Sequence, residues 1–153
     1  MSDQPPRYKR PGTVVRHVAN PLLVAAMRLG ISVWGSRILE VRGRRSGNIH
    51  RTPVNLLVYR GSEYLVSPRG DTQWARNVRA DEGRLVLVLG HRRAERMVVE
   101  LADDEKPPVL RAYLRRWKME VGQFFEGVSA EASDEELLRI ASKHPVFLLQ
   151  TDR

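Results

Sequence analysis

Between residues 37 and 101 the chain alternates short apolar runs with turns, and no other feature restricts its fold as much. Strand-like runs occupy Arg37–Arg42, Thr52–Arg60, Glu63–Val66, Arg84–Leu89 and Ala94–Leu101. Gly61-Ser62 joins the second run to the third, and the basic turn Gly90-His91-Arg92-Arg93 joins the last two. Connections this short cannot hold a crossover helix, so the runs they join must pair as antiparallel hairpins. Five consecutive strands, most of them in hairpins, predict a sheet that curls or closes on itself.

Helical spacing brackets this core. Residues 1–12 are polar and basic, with Pro5, Pro6 and Pro11, and read as a flexible arm. Over 13–34, Val14, Val15, Val18, Leu22, Leu23, Ala26, Met27 and Leu29 follow a helical period. There Asn20 suits a cap, Pro21 a first turn and Gly30 a stop. Such a helix either faces the core or, through Arg16 and Arg28, makes a peripheral membrane contact. Asp71 is expected to cap a short helix running through Trp74 to about Ala80. After the acidic start Asp103-Asp104-Glu105, the residues Val109, Leu110, Tyr113, Leu114, Trp117 and Val121 keep helical spacing. Ser133 with Glu136 forms a capping-box pattern ahead of Leu137, Leu138, Ile140 and Ala141, and Pro145 ends that helix. Val146 to Gln150 reads as a final strand returning to the sheet. The expected class is α+β. Residues 13–153 would form a single domain: an N-terminal helix 13–34, a barrel core 37–101, a helical segment 104–143 and a last strand 146–150.

Composition narrows the chemistry. The chain has 153 residues, 42% of them hydrophobic, enough for a core. With no cysteine there is no disulfide framework, zinc ribbon or thiol nucleophile, which fits a cytoplasmic protein. The net charge of +8 points to an anionic partner. No run approaches the roughly 20 apolar residues of a membrane helix. His17, His50, His91 and His144 are far apart, and no metal-ligand spacing, serine elbow, Walker loop or Gly-x-Gly-x-x-Gly is present.

Two segments gather usable groups. Arg42 to Arg51 holds four arginines, Ser46, His50 and two glycines between strand-like runs. It reads either as a solvated hairpin tip that protects a sheet edge or as an anion clamp. Ser67-Pro68-Arg69-Gly70-Asp71-Thr72-Gln73-Trp74, continuing to Arg76 and Asn77, passes from a strand end through a glycine into a helix start. It is either a plain connection or a second anion-favouring site. If both lie at one end of the sheet, they make a single site. Nucleic acid is not the expected partner, because the arginines gather at turns without an interleaved aromatic platform.

The order Arg-Gly-Arg-Arg-Ser-Gly, Thr52-Pro53, Tyr64-Leu65-Val66, Arg69-Gly70, Trp74 and Asn77 resembles the deazaflavin-dependent nitroreductase family, best over Ile38 to Leu101. The resemblance implies a split β-barrel and an oxidoreductase using the reduced deazaflavin coenzyme F420. By position it implies a phosphate-binding loop at Arg44, Arg45 and Ser46. A strand lining the cofactor would carry His50, Arg51, Thr52, Pro53, Val54 and Asn55. The strand end and turn would be Val66, Ser67, Pro68 and Arg69, and the helix start Gln73, Trp74, Ala75, Arg76 and Asn77. It implies hydride transfer to an electron-poor small molecule such as a quinone, enone or nitro compound, with no protein nucleophile. Relatives that reduce nitroimidazole-type compounds carry a serine where this chain has Pro68, and often a tyrosine where it has Asn55. Tyr113, Trp117, Phe124 and Phe125 would either cover the acceptor pocket or belong to the core. The alternatives are an FMN oxidoreductase of the same fold and a nonenzymatic cofactor or ligand carrier, as monomer or homodimer.

Overall fold

The computed structural model of the protein describes residues 35–151; the arm and helix expected over 1–34 lie outside them. Six strands form a closed antiparallel barrel in the order β1-β2-β3-β6-β5-β4. They are β1 (Ser36–Arg42), β2 (Ile49–Tyr59), β3 (Ser62–Val66), β4 (Arg84–Leu89), β5 (Arg92–Glu100) and β6 (Val146–Leu149). Helix α1 (Gln73–Ala80) links β3 to β4, and α2 (Pro107–Val121) and α3 (Asp134–Ala141) fill the connection from β5 to β6. The architecture is the split barrel that the resemblance implies.

Closure depends on two long strands that serve both halves. β2 pairs with β1 over Ile49–Asn55 and with β3 over Leu56–Tyr59. β5 pairs with β4 over Arg92–Met97 and with β6 over Val98–Glu100. Strand alternation then builds two cores. Leu39, Val41, Val54, Leu56, Leu65, Leu85, Leu87, Val98, Phe147 and Leu149 fill the barrel, and Ala75 and Val78 of α1 join them. Leu57 of β2, one residue from Leu56, belongs to the other core with Val66, Val146 and the buried faces of α2 and α3.

The boundaries differ from expectation where charge is dense. β2 begins at Ile49 rather than Thr52, and β5 at Arg92 rather than Ala94. Pairs Val41↔His50, Glu40↔Arg51 and Val88↔Arg93 extend the ladders into residues that read as turns. His50, Arg51 and Arg93 are exposed, so their polarity does not oppose strand pairing. The true β1–β2 turn spans 43–48 and is closed by hydrogen bonds from Gly43 N to Asn48 O (2.7 Å) and Gly47 N to Gly43 O (3.0 Å). Thr72, rather than Asp71, caps α1: its hydroxyl accepts the Ala75 N–H at 3.4 Å. Asp71 is instead held by Arg76 and Arg79. Ser133 caps α3 by accepting the Glu136 N–H.

Candidate functional site

β1 and β3 both run antiparallel to β2, so their C-terminal ends emerge at the same end of the barrel. The β1–β2 turn leaves the first, and the segment leading into α1 leaves the second. The two groupings of usable residues, 33 positions apart at their contact, are joined there by one arginine. The Arg44 backbone N–H donates to Asn77 Oδ1 at 3.2 Å, and its Nη1 donates to the same oxygen at 2.8 Å and to Gln73 Oε1 at 2.9 Å. Asn77 is buried, so its amide is a fixed acceptor that sets the position of the turn.

Arg45, Ser46 and His50 are exposed beside this junction. The Ser46 hydroxyl accepts the Asn48 N–H at 3.1 Å, which shapes the tip. Gly43 is buried, and a Cβ there would stand 2.6 Å from His50 Nε2 and 3.1 Å from Ser46 Oγ. The imidazole therefore occupies the space that the missing side chain leaves, facing the turn.

On the other side, Ser67 is buried and its hydroxyl is used within the turn, donating to Gly70 O at 2.6 Å and lying 3.0 Å from Thr72 Oγ1. Pro68 and Arg69 are half-buried. The Arg69 guanidinium lies over the Phe124 ring at 4.7 Å. α1 is anchored by ion pairs at its surface: Arg76 to Asp71 at 3.0 Å, and Arg79 to both Asp71 and Glu100. Burial works to raise the Asp71 carboxyl, but hydrogen bonds from Arg79 and Arg76 outweigh it and hold the group below the usual carboxylate range.

The structure sorts the residues named from the sequence. Arg44, Arg45, Ser46, His50, Gln73 and Arg76 are exposed around the turn and α1, while Trp74 is half-buried with its ring centroid 5.6 Å from that of Phe147. Val54 and Ala75 are barrel core, Val66 is helix-side core, and Ser67 and Asn77 are buried supports. β2 divides its own set: His50 and Thr52 share the face of Val54, whereas Arg51, Pro53 and Asn55 stand on the other face. On that face Arg51 pairs with buried Glu40 at 2.8 Å, and Arg93 pairs with the same carboxylate. Tyr113, Trp117, Phe124 and Phe125 are all buried and belong to the helix-side core. Of these, Phe124 reaches the site through its contact with Arg69.

Two supporting residues were not singled out from the sequence. Glu40 is a lone carboxylate within an apolar run, and that position was a signal. His144 lies behind the Pro68 turn, 76 positions away, and nothing in its sequence neighbourhood showed this. Among the described residues no group of metal-ligating side chains converges, and no helix is long and apolar enough to cross a membrane.

An exposed set of guanidinium, imidazole and hydroxyl donors around a tightly packed glycine suits an anionic ligand. A family model described as F420H(2)-dependent quinone reductase matches residues 17–133. No curated protein matches the chain. Among solved structures, an F420-H2 dependent reductase, FDR-A, aligns with a TM-score of 0.52 at 16% identity, over 76% of this chain and 94% of that one. A structure described as a domain-swapped dimer aligns at 0.55 and 17%, over 90% and 97% of the two chains. A protein of unknown function from Agrobacterium tumefaciens strain C58 aligns at 0.57 and 16%, over 98% and 60%. At these identities the structural likeness is one of fold.

Proposed function

Because the chain belongs to the F420H(2)-dependent quinone reductase family, and is thereby an oxidoreductase using reduced coenzyme F420, we propose how its residues hold that cofactor and what it reduces. The phosphate and acidic tail of the deazaflavin lie against Arg44, Arg45, Ser46 and His50, with Gln73 and Arg76 of α1 alongside. Its ring lies toward Pro68, Arg69 and Trp74. The acceptor is an electron-poor small molecule, a quinone, enone or nitro compound. Val54, Val66, Ser67, Ala75 and Asn77 shape this site from behind rather than touching the ligand.

The observation that carries this reading is the triple engagement of Arg44 with Gln73 and Asn77, which unites the basic turn and the helix start into one surface. The bound cofactor supplies the hydride. The protein's part is to bind the anionic groups, orient the ring and keep water from the reacting face, so no side-chain nucleophile is required.

Fluorescence titration with the deazaflavin and with FMN tests the site. Tight binding of the first and weak binding of the second is expected; the reverse preference would make the protein an FMN enzyme. Replacing Arg44 and Arg45 together by alanine is expected to weaken deazaflavin binding at least tenfold, since each charged hydrogen bond contributes about 1.5–3 kcal/mol. Unchanged affinity in that variant would remove the site from this end of the barrel. Consumption of the reduced cofactor across a panel of quinones, enones and nitro compounds identifies the acceptor, and no consumption with any of them would favour a carrier.

A further inference from the structure

The Pro68-Arg69 turn is gripped from behind by the segment that follows α2. Ser67 N donates to Pro145 O at 2.9 Å, Arg69 stacks its guanidinium on Phe124, and His144 Nδ1 lies 3.0 Å from the Pro68 carbonyl oxygen. His144 is buried at 3% exposure, and its ring is stacked on Phe125 with centroids 4.1 Å apart and planes 20° from parallel. A carbonyl oxygen can only accept, so the contact requires a proton on Nδ1. That leaves Nε2 as a lone-pair acceptor, and it is buried without a partner. An apolar side chain would avoid this orphaned nitrogen. What the imidazole provides instead is a fixed donor, held in plane by Phe125 and aimed at one backbone carbonyl.

We infer that His144 is a positioning residue for the cofactor site: by donating from Nδ1 to the Pro68 carbonyl it sets the Pro68-Arg69 peptide, and through it the place of Arg69 beside the bound ring. The inference rests on the reading that Pro68 and Arg69 line that site. It gives the segment after α2, which the sequence offered only as core or pocket cover, a specific task. The stretches on either side of α3 hold the binding turn in place through three contacts drawn from Phe124, His144 and Pro145.

The test compares His144→Asn with His144→Leu in the full-length protein. The asparagine amide nitrogen falls close to the place of Nδ1 and can donate to the same carbonyl, whereas leucine fills the space without a donor. Expected are a deazaflavin Kd and cofactor KM raised at least fivefold in H144L, with kcat changed less than twofold. In H144N both constants are expected within twofold of wild type. Wild-type affinity in H144L, or equal loss in both variants, would overturn the inference. Nitrogen NMR of the unsubstituted protein keeps the test open if a variant does not fold: protonation of Nδ1 supports the bond, and a proton on Nε2 instead overturns it. Arg44→Ala separates the two levels. If it weakens binding while H144L does not, the positioning role alone fails; if it leaves affinity unchanged, the site reading fails and takes this inference with it.

Discussion

At the scale of single residues, the site depends on what is absent as much as on what is present. Gly43 has no positive φ, so alanine there is conformationally permitted; the obstacle is the His50 ring, 2.6 Å from the new Cβ. The ring is the far end of a side chain and can swing away. Gly43→Ala is therefore expected to lower deazaflavin affinity severalfold while changing Tm by only a few degrees, as read by titration and thermal melts of the same samples. Gly83 is the opposite case. Its φ is +83° and a Cβ would sit 2.3 Å from the Val98 carbonyl oxygen, a backbone atom that cannot yield. Gly83→Ala is expected to cost about 2 kcal/mol or more in urea unfolding, without any specific effect on the cofactor. From sequence these two glycines look alike, because the neighbours that distinguish them come from other strands.

Among elements, α1 is a short helix whose place depends on charges at its two ends. Asp71 receives Arg76 and Arg79, and Arg79 continues to Glu100 at the end of β5. Hydrogen bonding to Glu100 is the main cause that raises the Arg79 pKa, so the guanidinium stays charged throughout. Because Asp71 is held below the usual carboxylate range, its contribution to stability is present at neutral pH and is lost as pH falls through the lowered value. Asp71→Asn is expected to cost about 1 kcal/mol, a modest figure because the arginines are well exposed. It is also expected to raise hydrogen exchange across α1 before any other element. The helix itself was legible in the sequence, since Trp74, Ala75 and Val78 mark its buried side. Its cap was not, because Asp71 and Thr72 are both good caps and only the positions of Arg76 and Arg79 decide between them.

At the scale of the molecule, two further dependences follow. A net charge of +8 spread over arginine-rich turns predicts that deazaflavin affinity falls steadily as salt rises, whereas Tm changes little over the same range. Binding that is indifferent to salt would contradict a polyanion held by Arg44 and Arg45. His144 supplies the pH dependence. Burial lowers its pKa to about 4, against the opposing influence of the Pro68 carbonyl and Glu126, while Lys106 and Lys143 act in the same direction as burial. The unfolded chain takes up a proton near pH 6.5 that the folded protein refuses until about 4, so stability is fully present above 6.5 and declines as pH falls. By pH 5 the loss from this residue is about 2 kcal/mol, visible as a lower urea midpoint and absent in His144→Asn.

The sequence by itself determined that the chain would make an antiparallel barrel with helices around it, because hairpin turns and period-2 alternation are local properties. It also determined the chemistry of the turn from Arg42 to Arg51, since guanidinium, hydroxyl and imidazole groups are properties of residue type. The second partner of β5 was not local: its last residues, Val98 to Glu100, pair with β6, which follows α2 and α3 in the chain. Tertiary structure alone put Arg44 against Asn77 and set His144 behind Pro68. Those contacts join positions between 33 and 76 residues apart, and no spacing rule within a single element can express them.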